Sequence, residues 1–128
     1  MKITDIEVIP IAPKLASRYA TRRVDLYGID ARVVYKVHTD AGIIGYGDTR
    51  VRPFAIPNRD SVAGLIGKSP FDFLLNNFHM ALGMALYDLM GKYLEAPAYK
   101  LMGQKMRDAV SCAAWTRPCP PDVFAAEV

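Results

Sequence analysis

Cysteine is scarce. There are two, Cys112 and Cys119, and neither sits in a CxxC or Cys/His spacing. That excludes a disulfide-stapled scaffold and a structural zinc site, which need clustered ligands, and both thiols are read as reduced. The two histidines, His38 and His79, are far from the cysteines in the chain; each is read as a structural or surface residue. No apolar run approaches the roughly 20 residues that a membrane helix needs. The opening MKITDIEVIP carries Asp5 and Glu7 inside its apolar pattern, which excludes the basic-then-apolar layout of a secretory leader. The cytoplasm is the expected compartment. The formal net charge of +3 is too small to argue for nucleic acid. No internal repeat and no low-complexity stretch interrupts the chain.

What is present is an ordinary globular composition, 128 residues with 52% hydrophobic and 23% charged. That suffices for a compact domain with a core of its own. The cations are unevenly placed. Lys14, Arg18, Arg22 and Arg23 fall in one segment, and Arg50, Arg52 and Arg59 in another. Both segments read as loops. They form either a solvated basic surface or a mouth that draws in a small anion.

Residues 2–11 carry β-branched residues in loose alternation and predict a strand. Residues 12–30 have no period and read as a long loop, the kind that compact domains keep for function. In ARVVYKVHT, Val33, Tyr35 and Val37 share one face while Arg32, Lys36 and His38 share the other, a half-buried strand. Asp40-Ala41-Gly42 turns the chain, and 43–49 return as a third strand. Pro53 and Pro57 break 50–60 into a second loop. A short helix is expected over 61–66, ended by Gly67. Ser69 and Pro70 supply an N-cap and a first-turn proline for a helix over roughly 71–94, with a break near Asn76-Asn77. Within it Leu82, Ala85, Leu86 and Leu89 repeat at helical spacing and are expected in the core. Pro97 opens another short helix, closed by Gly103. Residues 109–115, small and apolar, predict a strand buried on both faces. Pro120-Pro121-Asp122 starts a helix that is still running at Val128.

Three segments resemble the enolase superfamily, in its mandelate racemase and muconate lactonizing branch. They are KITDIEVIPI, the hairpin TDAGIIGYGDT, and ALGMALYDLMGKYLEAPAYKLMG, where Ala85, Leu86, Asp88, Leu89, Gly91, Lys92, Pro97, Leu101 and Gly103 all match the family's spacing. Asp48 stands where the family usually has Glu, Tyr87 where it has Trp, and Gln104 where a second Gly is common. The structural reading of these motifs is the stronger one: Asp88 and Lys92 as a helix-face pair or hydrogen-bond anchor, Gly91 for close packing, Gly45 and Gly47 for a bend or bulge, and Asp48 as partner to backbone or a loop arginine.

The resemblance implies an α+β fold, a three-stranded antiparallel meander followed by a helical bundle. Residues 1–108 would be an N-terminal capping domain and 109–128 the truncated start of a (β/α) barrel. It implies a Mg²⁺-dependent lyase or isomerase that removes the proton α to a carboxylate, with a sugar acid as one substrate class. The metal ligands and base would be carried by the missing barrel domain, so this chain holds no catalytic residue, would be inactive alone, and would leave 109–128 without cover. The complete enzyme would be a homo-oligomer with no nucleic-acid or membrane partner. Two cap loops, here about 15–30 and 48–58, would close over the substrate; Tyr19, Arg22, Arg23, Tyr27, Arg50 and Arg52 are the candidate contacts, and Thr116 and Arg117 lie at the barrel mouth. The alternative is a stand-alone binding or scaffold module derived from the cap. Coding sequence beyond Val128 with spaced carboxylates and a Lys or His base separates the two.

Overall fold

Alternation of side chains along three segments builds the sheet. In the computed structural model, which describes residues 1–12, 32–50, 59–75, 80–113 and 120–125, β1 spans Ile3–Ile11, β2 Arg32–Thr39 and β3 Ile44–Arg50, antiparallel in the order β1-β2-β3. Val33, Tyr35 and Val37 of β2 are buried with Ile3 and Ile6 of β1. One turn closes β2 onto β3: Gly42 takes a φ of +71°, and Thr39 Oγ1 donates to the Ile43 carbonyl at 2.8 Å. The meander is the one the alternation predicts.

One helix covers this sheet. α1, Met80–Tyr93, turns Ala81, Leu82, Ala85, Leu86, Leu89 and Met90 inward, and the four residues expected in the core are all there. Val62 and Leu65 close the core from a 3-10 turn, Arg59–Leu65. Gly67, at φ +81°, follows that turn, and its N–H donates to the Ile3 carbonyl at 2.8 Å.

β3 contributes no side chain to the core where α1 crosses it. Its inward positions are Gly45 and Gly47, both buried. A Cβ on Gly47 would lie 1.9 Å from the Ala81 carbonyl oxygen, and one on Gly45 2.3 Å from that of Ala85. The bend or bulge expected of these glycines is absent, because the β2–β3 register runs unbroken from Arg32↔Arg50 to His38↔Ile44. They are glycines because helix backbone rests on strand backbone.

Four other expectations change. The helix expected over 71–94 with a break near Asn76-Asn77 is interrupted beside that point, at Leu75, whose φ of 56° lies outside any helix, but the part before the break is not α-helical. Instead Ser69 caps a 3-10 turn, Pro70–Phe73, in a full capping box with Asp72. The bundle reduces, among the described residues, to α1 with 3-10 turns beside it, the last being Ala98–Leu101, and α2, Pro121–Ala125. Residues 109–113 form no strand and are exposed. A double-faced barrel strand needs neighbours on both edges, and no fourth strand stands among the described residues to pair with it. Gly91 admits the chain's own return rather than a second helix, since a Cβ there would meet the Ala96 carbonyl oxygen at 2.8 Å. None of the described helices is long and apolar enough to cross a membrane.

The glycine contact makes a sharp contrast. Gly47→Ala should cost about 3 kcal/mol or more, because helix backbone cannot yield as a side chain does. Gly64→Ala, where an added Cβ meets nothing within 4 Å, should change stability by less than about 1 kcal/mol. Urea unfolding of both variants reads the difference; equal costs would remove the backbone-on-backbone account.

Candidate functional site: the loop end of the sheet

The register gathers the expected loops at one place. Ile11 pairs with Arg32, and Arg32 with Arg50. These are the last residue of β1, the first of β2 and the last of β3. The 13–31 connection therefore leaves and returns at the same sheet end from which 51–58 departs, while the tight turn at Asp40–Gly42 occupies the other end.

Of the candidate contacts, Arg50 is placed there, exposed as the last residue of β3. Tyr19, Arg22, Arg23, Tyr27, Arg52, Thr116 and Arg117 lie outside the described residues, as do His79 and Cys119. Cys112 is exposed with its thiol free.

The face of the sheet turned away from α1 is a lattice of ion pairs. Arg32 Nε donates to Asp48 Oδ2 at 2.6 Å, with Nη2 on the same oxygen. Asp48 thus partners an arginine, as expected, but one on a strand rather than in a loop. Glu7 of β1 meets two β2 side chains: Lys36 Nζ at 3.0 Å and His38 Nε2 at 2.5 Å. The hydrogen bond with His38, then that with Lys36, holds the Glu7 carboxyl below its usual 4.5. Glu7 in turn raises Lys36 above its usual value. Burial raises the Tyr35 hydroxyl on the core side.

A third pair serves the outer edge of β3. Asp88 Oδ2 accepts from the Tyr46 N–H at 2.9 Å and from Lys92 Nζ at 2.6 Å, and Lys92 also donates to the Ile44 carbonyl at 2.8 Å. The i, i+4 spacing predicts the pair. The structure adds its purpose: two backbone groups on a strand edge are satisfied from α1.

The arrangement pairs Arg32, Lys36, His38 and Lys92 with carboxylates of the chain itself. Among the described residues no three His, Cys, Asp or Glu side chains stand together as a metal site requires. Sequence reading missed Arg32. Its alternation placed it on the outer face, but its nearness to Asp48 depends on a strand register that only the fold fixes.

No protein-family model matches the sequence. A D-galactonate dehydratase family member from Enterococcus gallinarum is 32% identical over 125 residues, covering 84% of this chain and 29% of that protein. An isomerase from Streptomyces coelicolor shares 27% identity with a TM-score of 0.61, over 84% of this chain and 32% of that one. A mandelate racemase/muconate lactonizing enzyme from a marine actinobacterium, solved in complex with magnesium, shares 28% at a TM-score of 0.55, over 80% of this chain and 32% of that one. The chain belongs to the mandelate racemase/muconate lactonizing type of the enolase superfamily. Its sheet and helix match that superfamily's N-terminal capping domain. It spans about a third or less of the length of the relatives it matches.

Glu7 gives the site a pH signature. Its lowered carboxyl stabilises the fold above its unfolded value and loses that contribution as pH falls through the folded one. The stability gap between wild type and Glu7→Gln should therefore narrow as pH drops from about 5 to about 3. Thermal melts across that range test it; a gap that stays constant contradicts the Glu7 clasp.

Proposed function

We propose that this chain is the substrate-capping part of a Mg²⁺-dependent enzyme of the mandelate racemase/muconate lactonizing type, acting on a sugar acid. The observation that carries the reading is the shared root of its two loops, in the single row Ile11, Arg32 and Arg50. The arginines in the sequence of those loops, Arg22, Arg23 and Arg52, belong to the same end of the sheet by connectivity. The similarity to a D-galactonate dehydratase family member supports a sugar acid as substrate class.

Removing a proton α to a carboxylate builds negative charge on a group that is already anionic. Bound Mg²⁺ would stabilise that charge. The metal and the base would be carried by a barrel domain that this chain would cap. This chain's own share is binding. Guanidinium groups over the barrel mouth would hold the acid's oxygens, fix its orientation and exclude water, which strengthens every charge interaction beneath. Arg50 stands at the root of that lid, and the core under α1 holds the root in place.

A binding role has a kinetic form. In the full-length protein, Arg22→Ala and Arg52→Ala should each raise KM roughly tenfold, the worth of one charge-assisted hydrogen bond. The melting temperature should move little. Steady-state kinetics with a panel of sugar acids and Mg²⁺ reads this, and unchanged KM in both variants refutes the capping role.

A further inference from the structure

Arg32 and Arg50 are directly opposite in the β2–β3 ladder, and Asp48 lies two residues before Arg50 on the same face. Like charges directly opposite on one sheet face repel. The Asp48 carboxylate is not shared between them. Both Arg32 contacts fall on Asp48 Oδ2, and among the described residues no carboxylate pairs with Arg50. Asp48 and Arg32 are each about one-third exposed, at 40% and 32%, so as a stability element the pair is weak. As a geometric element it is specific: it engages one guanidinium and leaves the other without a carboxylate partner among the described residues.

We propose that Asp48 is a positioning residue for Arg50. By engaging Arg32 it separates the two cations and leaves Arg50 as the one presented to an anionic oxygen of the substrate. This rests on the capping role proposed above, and it adds a residue pair that lies on the strands. Asp48 touches no substrate; it acts through Arg32. Without it, Arg32 is free to swing toward the row it shares with Arg50. The two then compete for the same anion and repel each other in its absence.

The test compares variants of the full-length protein with a sugar acid as substrate. Arg50→Ala should raise KM roughly tenfold with little change in kcat. Asp48→Asn should raise KM severalfold, and Asp48→Glu, which keeps the charge, should largely rescue it. The deciding variant is Asp48→Asn combined with Arg32→Gln. If Asp48 works by restraining Arg32, removing both returns KM toward wild type, whereas a merely structural pair makes the double variant no better than the worse single. An Asp48→Asn enzyme with wild-type KM, or a double variant without recovery, overturns the inference while leaving the capping role standing.

A readout without turnover covers an enzyme that is silent on every acid tried, an outcome that would count against the capping role itself. Exchange of the arginine Nε–H protons, followed by NMR, should be slow for Arg32 and fast for Arg50, and fast for both in Asp48→Asn. Equal exchange at the two arginines in the wild type would overturn the positioning role by itself.

Discussion

Helix backbone lies on strand backbone where α1 crosses β3, and the rest of the structure follows from that contact. Gly45 and Gly47 have no side chains to hold the helix off. The helix therefore sits low enough for Leu86, Leu89 and Met90 to reach the buried side chains of β1 and β2. A larger residue at either glycine would lift α1 and open the core beneath it. Close approach is also what lets Asp88 and Lys92, on the flank of α1, reach around the edge of β3 to Tyr46 and Ile44. One steric allowance thus fixes the core and the edge together.

The two faces of the sheet then divide the work. The inner face is apolar and supplies the stability. The outer face is a set of paired charges, Arg32 with Asp48 and Glu7 with Lys36 and His38, which contribute little energy individually in solvent. Their value is orientation. They tie neighbouring strands side chain to side chain and leave Arg50 with no carboxylate partner among the described residues. In the proposed enzyme this is the useful asymmetry. A rigid inner layer holds the loop roots, and a polar outer layer sets which cation points toward the substrate.

Much of this was legible in the sequence, for identifiable reasons. The alternation in ARVVYKVHT gave the faces of β2 correctly because burial on one side imposes a period of two. The inward residues of α1 followed from helical spacing, and Ser69-Pro70 marked a helical start through local capping chemistry. The failures are nonlocal. Gly45 and Gly47 looked like a bend or bulge because nothing in a linear pattern says that a helix will arrive on top of them. The break expected near Asn76-Asn77 is matched by the left-handed Leu75 beside it, but the 3-10 rather than α-helical form of the segment before it, Pro70–Phe73, was not legible. The strand expected at 109–115 depended on partners that the described residues do not include. Of the candidate site, the arginine-rich segments were visible as composition, and Arg50, expected in a loop, is the last residue of β3. The Arg32–Asp48 pair needed the register.

The central claim is that both loops rising from one sheet end cover an anionic substrate. Hydrogen exchange of the full-length protein, with and without a sugar acid and Mg²⁺, addresses it directly. The account predicts that peptides covering 13–31 and 51–58 gain protection together on binding, while β1, β2 and α1 exchange as before. Turnover of the acid with no added protection in either segment would contradict it.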